Sequence, residues 1–175
     1  VVRSRFGEGS GSGFIISSSG HVVTNAHVVG DTKSQPQVML WDGRKMTATI
    51  QAVDPKSDIA LLKLNLIGDE DAIPVANIGS SSSVRPGDFC VALGAPLRLT
   101  NSAAFGIVSQ TARYGVDLYA SLNPGMGVRG AHGHQDQFQY TTAFIQHCVP
   151  ISKGNSGGPL CDVDGRVIGI NTLAA

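Results

Sequence analysis

Short apolar runs alternate with glycine- and proline-rich turns along the whole chain, and no segment shows the 3.6-residue spacing of a long amphipathic helix. The 22 glycines and 8 prolines supply the many turns that an all-β protein requires. The runs fall into two similar halves, linked by the later part of the stretch 65–87. We therefore predict an all-β fold of paired β-barrels, with one half over 1–80, the other over 81–175 and a cleft between them.

The apolar runs also place the individual strands. Strands are expected at 13–17, 21–24, 38–41, 45–52 and 59–64 in the first half, and at 88–94, 103–112, 140–146, 160–162 and 167–171 in the second. The run 59–64 is almost continuously apolar, so we expect that strand to be buried on both faces. The serine run 80–83 is expected to be solvated, and the glycine-rich stretch 113–138 predicts a long loop.

The composition excludes several classes of function. The chain has 13 basic and 13 acidic residues and no basic run, which argues against nucleic-acid binding. Its 42% hydrophobic content indicates a folded domain, and no apolar run approaches the ~18 residues that suggest a membrane span. Because the chain begins without methionine or a signal peptide, we expect a fragment or processed form whose compartment the sequence does not identify.

The three cysteines do not resemble a secreted disulfide framework, because three thiols cannot all pair with one another. They are Cys90, Cys148 and Cys161. We expect buried free thiols, with a single Cys148–Cys161 bridge as the alternative.

A glycine-rich turn around Ser156 offers a nucleophile. Small neighbours leave room for a substrate backbone, and the glycines allow the N–H groups of Gly154 and Ser156 to point at one spot, as an oxyanion hole requires. Taken alone, this pattern also fits an ordinary turn. A serine hydroxyl needs a base, and the base needs a carboxylate to hold its tautomer. His27, just after a strand end, and Asp58, just before an apolar strand, are the candidates.

Three blocks of the chain resemble the trypsin-like serine proteases, and more narrowly the HtrA/Deg family. The blocks are Thr24-Asn25-Ala26-His27-Val28-Val29, Asp58-Ile59-Ala60-Leu61-Leu62-Lys63 and Gly154-Asn155-Ser156-Gly157-Gly158-Pro159-Leu160, with support from 11–16, 54–57, 106–109 and 164–172. The resemblance covers nearly the whole chain and is weakest at 66–86 and 113–139. It implies a double β-barrel with the active-site cleft between the barrels.

The resemblance also implies an endopeptidase that acts through an acyl-enzyme. Ser156 would attack the scissile carbonyl, His27 would accept and return the proton, and Asp58 would orient His27. The oxyanion hole would be formed by Gly154 and Ser156, with Asn155 shaping the turn. Since Asn155 stands where zymogen-activated relatives carry an acid, no amino-terminal cleavage is expected to be needed for activity.

The primary substrate pocket follows from the same resemblance. Its floor would be formed by Cys148, Val149 and Pro150 with Ile151 adjacent, and its opposite wall by 171–174, with Asn171, Thr172 and Leu173 as candidates. None of these residues is charged, so a basic side chain would find no buried partner and small or aliphatic P1 residues are favoured. Cys148 replaces the family's usual aspartate and Pro150 stiffens the loop, which casts doubt on the usual activation mechanism.

Partners, location and the competing function also follow from the resemblance. It implies unfolded or damaged polypeptide substrates and an organelle (mitochondrion or plastid) or bacterial envelope. It also implies a homotrimer, of whose aromatic contacts Phe6 is the only sign. The PDZ domains that usually follow the protease domain in this family are not found within residues 1–175, and we expect either a trimmed fragment or a protein that lacks them. No cofactor or metal is expected, because His132, His134 and Asp136 in a glycine-rich loop are more typical of solvated side chains than of a zinc site. The alternative function is a catalytically silent peptide-binding or chaperone-like module, which the altered loop 147–153 supports.

Overall fold

A computed structural model describes residues 1–3, 10–30, 35–66, 73–95, 101–114, 143–152 and 154–172. Within these ranges the chain forms twelve strands, one four-residue α-helix and one turn of 3-10 helix. No helix of the described part is long and apolar enough to cross a membrane. The fold class predicted from the sequence, an all-β fold of paired β-barrels, is confirmed, and the strands of the described residues lie in two sheets.

The first sheet has seven strands in the order β2-β1-β5-β6-β7-β4-β3. They are β1 Val2–Arg3, β2 Ser10–Gly11, β3 Phe14–Ile15, β4 His21–Thr24, β5 Gln37–Met39, β6 Lys45–Asp54 and β7 Ile59–Leu64. A short helix, α1 (Ala26–Val29), follows β4. Strand β7 pairs with both β4 and β6, so the end of β4 lies beside the start of β7, with Thr24 opposite Ala60.

The second sheet has five strands in the order β10-β9-β8-β11-β12. They are β8 Phe89–Gly94, β9 Ser102–Tyr114, β10 Ala143–His147, β11 Pro159–Cys161 and β12 Val167–Ile170. The turn around Asp164-Gly165 joins β11 to β12, and Gly165 has a φ of 77° that suits glycine. A parallel bridge from Ile78 to Val167 ties the linking segment to β12.

Each sheet closes over its own hydrophobic core. The first core contains Val2, Val22, Val28, Val29, Val38, Leu40, Ala48, Ala60, Leu62, Leu64 and Ile73. The second contains Cys90, Ala92, Val108, Val149, Leu160 and Ile168. These separate cores agree with the two predicted halves, although their boundaries at 1–80 and 81–175 stay predictions.

Several local expectations differ from the structure. Strand β7 alternates, with Leu62 buried and Ile59 37% exposed, because one face of this antiparallel sheet looks outward rather than into a second layer. Strand β9 extends to Tyr114, into the predicted loop, whereas Ser81–Ser83 form a 3-10 turn that is exposed, as expected. Most of the loop predicted at 113–138 lies outside the described residues, as does Phe6, on which the expectation of a trimer rests.

The cysteines all carry free thiols, so the alternative Cys148–Cys161 bridge is not formed. Cys90 and Cys161 are buried as expected, but Cys148 is exposed, and its Sγ accepts the N–H of Ile107 at 3.3 Å. Burial, helped by the nearby Cys148, raises the pKa of the Cys90 thiol to about 11. The buried thiol therefore behaves as a small core side chain.

Candidate active site

The pairing of β4 with β7 brings His27 and Asp58 together. Asp58 immediately precedes β7, and His27 lies in the helix that immediately follows β4. The imidazole Nδ1 lies 2.7 Å from Asp58 Oδ2, and the backbone N–H of His27 donates to Asp58 Oδ1 at 3.0 Å. Because a carboxylate only accepts, Nδ1 carries the proton and Nε2 presents its lone pair.

Asp58 is held on its other sides as well. Its backbone has a φ of 52°, a left-handed conformation that few residues other than glycine adopt. The carbonyl oxygen of Asp58 accepts from the Asn25 side-chain amide at 2.8 Å and from the Ala26 N–H at 3.1 Å. The Thr172 hydroxyl, which follows β12 of the second sheet, donates to Asp58 Oδ2 at 2.6 Å. Both halves of the chain thus fix the carboxylate.

The two titratable groups shift each other's pKa in opposite directions. The hydrogen bond from the Asp58 carboxylate is the main cause of a raised His27 pKa; burial opposes it, and the negative charge of Asp58 adds to it. Burial alone would raise the pKa of Asp58, but the combined hydrogen bonds from the His27 ring, Thr172 and the His27 N–H outweigh it and lower that pKa. The pair therefore favours a charged carboxylate beside an imidazole that readily accepts a proton.

Backbone contacts place the turn that carries Ser156 against the end of β4. Gly157 has a φ of 82°, and a Cβ at this position would overlap Thr24 Oγ1 and lie 3.0 Å from the backbone nitrogen of Asn25. The N–H of Gly157 donates to the Asn171 carbonyl at 2.8 Å, one residue before Thr172. The nucleophile candidate is thus packed between the segment that leads to His27 and the segment that supports Asp58.

The hydrogen bonds of the turn leave two donors for a ligand. The Asn155 N–H donates to the Ser152 carbonyl at 3.0 Å, and the Gly158 N–H donates to the Asn155 carbonyl at 2.9 Å. Among the described residues, neither the Gly154 N–H nor the Ser156 N–H has an acceptor, and the Ser156 hydroxyl makes no hydrogen bond with His27. His27 and Asp58 are therefore joined by a direct hydrogen bond. Ser156 is placed near them by the contacts of its neighbour Gly157 with Thr24 and Asn171.

The residues predicted to line the pocket differ in exposure. Val149 is only 5% exposed and lies in the second core, so it presents little surface to a substrate, whereas Cys148 and Pro150 are exposed. Ile151 packs partly against the same core. Of the opposite wall, Asn171 is buried with its amide donating to the carbonyls of Gly158 and Pro159, Thr172 contacts Asp58, and Leu173 lies outside the described residues.

Sequence reasoning missed three buried polar residues at this site: Ser12, Thr24 and Asn25. Thr24 donates to the Ser12 carbonyl at 2.7 Å, and Asn25 anchors the Asp58 carbonyl. Their signal in the sequence was a polar residue next to residues that belong to a core strand or helix, where burial requires a hydrogen-bond partner.

The described part of the chain offers no metal site. Within the described ranges no group of three or more histidine, cysteine or acidic side chains could hold a metal ion. His132, His134 and Asp136 lie outside these ranges.

The model of the trypsin-like peptidase domain matches residues 11–170. Serine protease HTRA1A of Danio rerio is 44% identical over 164 residues, which cover 94% of this chain and 30% of the relative. Human serine protease HTRA3 is 41% identical over 169 residues, which cover 94% of this chain and 33% of the relative. A solved structure described as "HtrA-type protease AlgW with decapeptide" has a TM-score of 0.71 and 34% identity, and the match covers 94% of this chain and 43% of that one.

This chain therefore belongs to the trypsin-like peptidase domain family. Within that family it is similar to the HtrA-type serine proteases, which confirms the resemblance drawn from its three sequence blocks. The chain spans 30% and 33% of the length of the two curated relatives named above.

Proposed function

We propose that this chain is the protease domain of an HtrA-type serine endopeptidase, with Ser156 as nucleophile, His27 as general base and Asp58 as the orienting carboxylate. The observation that carries the proposal is the continuous set of hydrogen bonds from Thr172 through Asp58 to the His27 ring. That set leaves the Nε2 lone pair of His27 available, as a base that activates a serine requires.

The reaction follows from this arrangement. Ser156 Oγ attacks the scissile carbonyl carbon while its proton passes to His27 Nε2, and the carbonyl oxygen becomes an oxyanion. The N–H groups of Gly154 and Ser156, which have no acceptor among the described residues, would receive that oxyanion. The C–N bond then breaks, the leaving amine takes the proton from His27, and water releases the acyl group by the same steps in reverse order.

Asp58 stabilises the charged imidazole that forms in each of these steps. Its carboxylate accepts a hydrogen bond from Nδ1–H and carries the opposite charge, and both effects raise the pKa of His27. The base therefore holds the transferred proton long enough to deliver it to the leaving group.

The substrate is proposed to be an extended, unfolded polypeptide with a small or aliphatic P1 residue. Support comes from the uncharged side chains of Cys148, Pro150 and Ile151, and from the AlgW relative, whose structure contains a decapeptide. An extended peptide can bind along a sheet edge through backbone hydrogen bonds, which need no folded partner. A peptide library varied at P1 tests this point, since a preference for arginine or lysine would contradict it.

A fluorophosphonate probe tests the enzyme proposal directly. The purified protein is treated with the probe, and the modified residue is mapped by mass spectrometry. We expect labelling at Ser156, loss of labelling and of peptide hydrolysis in Ser156→Ala, and retention of both in Ser80→Ala, whose hydroxyl is exposed and bonds only within its own turn. A folded protein that is neither labelled nor active would contradict the proposal and favour the silent peptide-binding module.

A further inference from the structure

A buried serine outside the proposed triad contacts the nucleophile turn at two points. Ser12 lies between β2 and β3 of the first sheet and is 4% exposed. Its hydroxyl donates to the carbonyl oxygen of Gly154 at 2.7 Å, and its N–H donates to the carbonyl oxygen of Ser156 at 2.8 Å. One residue therefore holds the carbonyl groups on both sides of Asn155.

The same hydroxyl also connects the turn to the second sheet. Ser12 Oγ accepts the N–H of Ala95, just after β8, at 3.0 Å. That N–H also lies 3.4 Å from the Gly154 carbonyl oxygen. The hydroxyl thus acts as donor and acceptor at once, and it joins the first sheet, the end of β8 and the turn.

The turn needs anchors of this kind because its conformation depends on glycine. Gly154 has a φ of 108°, and a residue without a side chain imposes little preference on its own backbone. Bonds from Ser12 to the carbonyl oxygens of Gly154 and Ser156 fix the peptide planes that follow these two residues. The Asn155 N–H, on the opposite side of the first plane, is directed to the Ser152 carbonyl.

We infer that Ser12 is a positioning residue for the oxyanion hole, an inference that rests on the proposed function. Ser12 touches neither the substrate nor a reacting atom in this arrangement, and it acts by holding the turn from which the Gly154 and Ser156 N–H groups project. Such donors accelerate a reaction because they are already oriented before charge develops on the oxygen. Loss of the Ser12 hydroxyl keeps the N–H groups of Gly154 and Ser156 but holds them less firmly in the direction that the oxyanion requires.

The surroundings of Ser12 favour a small hydroxyl residue. A Cβ on Gly94 would lie 3.1 Å from Ser12 Oγ and 2.5 Å from Asn155 Oδ1, and a Cβ on Gly158 would lie 3.0 Å from Ser12 Cβ. Backbone therefore packs directly against Ser12 on two sides. Alanine is the cleanest substitution, because it keeps the Cβ and removes only the oxygen.

The test compares Ser12→Ala with Ser17→Ala in the purified protein. Ser17 is a matched control because its partly buried hydroxyl bonds Ser19 and His21 within its own hairpin, away from the turn. Four quantities are measured: kcat, KM, the affinity for a peptide boronate that forms a tetrahedral adduct, and the affinity for the corresponding product peptide.

We expect Ser12→Ala to lower kcat by about 10- to 100-fold, somewhat less than the ~100- to 1,000-fold loss that removal of a whole oxyanion donor causes. The affinity for the boronate should fall by a similar factor, whereas KM and the affinity for the product peptide should change less than about twofold. Ser17→Ala should match the wild type in all four quantities. The difference between the two affinities distinguishes a positioning role from a general loss of structure, which would weaken the binding of the boronate and of the product peptide equally.

Two results would overturn the inference: an unchanged kcat in folded Ser12→Ala, or equal losses for boronate and product peptide. If Ser12→Ala does not fold, Ser12→Cys supplies the same comparison, because a thiol fills the site and is a weak hydrogen-bond donor. A wild-type protein that neither hydrolyses peptides nor reacts with the fluorophosphonate would contradict the proposed function, and this inference with it. An active wild type with an unaffected Ser12→Ala would contradict this inference alone.

Discussion

Replacing Asp58 by asparagine tests the central hydrogen bond of the site. In the native protein Asp58 Oδ2 accepts from the His27 ring at 2.7 Å and from Thr172 at 2.6 Å, while Oδ1 accepts the His27 N–H at 3.0 Å. Asparagine can keep the last of these bonds through its single oxygen. Its NH₂ group then faces His27 Nδ1, so Nδ1 must become the acceptor and the ring proton moves to Nε2.

An imidazole in that tautomer has no lone pair directed at Ser156. The loss expected for a triad histidine in the wrong tautomer is about 10⁴-fold in kcat, which corresponds to roughly 5 kcal/mol of activation free energy. The substitution also removes both contributions of Asp58 that raise the pKa of His27, and leaves burial, which lowers it. The pKa of His27 should therefore fall below its ordinary value in Asp58→Asn.

The assay is kcat/KM for an unfolded peptide substrate, with the fold checked by circular dichroism and the His27 pKa by NMR. Asp54→Asn is the matched control, since the exposed Asp54 carboxylate bonds only within its own turn, to the Lys56 N–H at 3.0 Å and the Ser57 hydroxyl at 2.6 Å. We expect wild-type activity in the control. A folded Asp58→Asn protein within tenfold of wild-type kcat/KM would refute the assignment of Asp58 as the orienting carboxylate.

Three further predictions concern the same region. Values of kcat/KM should fall as the pH decreases, with a midpoint above 6.5, because the Asp58 carboxylate raises the His27 pKa and only neutral His27 can accept a proton; a pH–rate profile with a lower midpoint would contradict this. Thr172→Val should lower kcat/KM by about tenfold or more, as expected for a lost hydrogen bond to a charged group, and Thr172→Ser should retain activity. Both Gly157→Ala and Gly165→Ala should incur the cost of a left-handed residue, about 1–2 kcal/mol. Gly157→Ala should unfold at a clearly lower urea concentration, because its Cβ would overlap the backbone carbonyl oxygen of Ser12, whereas none of the described atoms lies within 4 Å of a Cβ at Gly165. Equal urea midpoints for the two variants would contradict the packing argument.

Much of the fold could be predicted because its signals are local. Short apolar runs on either side of Asp42-Gly43 and Asp164-Gly165 mark hairpins, and the ten expected strands differ from the observed ones mainly at their ends. The two-residue strands β1 and β2 were not predicted, because they are too short to show a strand pattern in the sequence. Which faces of a strand are buried is harder to predict from the sequence, because burial depends on what packs on each side of the sheet. That is why β7 was expected to be covered on both faces and is instead exposed at Ile59.

In the candidate site, too, local features could be predicted from the sequence and long-range contacts could not. His27 and Asp58 could be proposed as partners because a base needs a carboxylate and each lies beside the end of an apolar run, whereas the antiparallel pairing of β4 with β7 that brings them together is found only in the structure. The contact of Thr172 with Asp58 spans 114 positions, and it involves a residue expected to line the pocket. Contacts of this range depend on how the two sheets meet, which no short pattern encodes.

The bond between Ser12 and Gly154 has a consequence for biosynthesis. Its partners are 142 positions apart, so the ribosome completes the first long before the second exists. A nascent chain that already contains His27 and Asp58 therefore still lacks Gly154 and the turn that carries Ser156. If Ser156 is the nucleophile, as we propose, the three side chains of the site cannot meet until this turn has been synthesised, so a shorter nascent chain has no complete site.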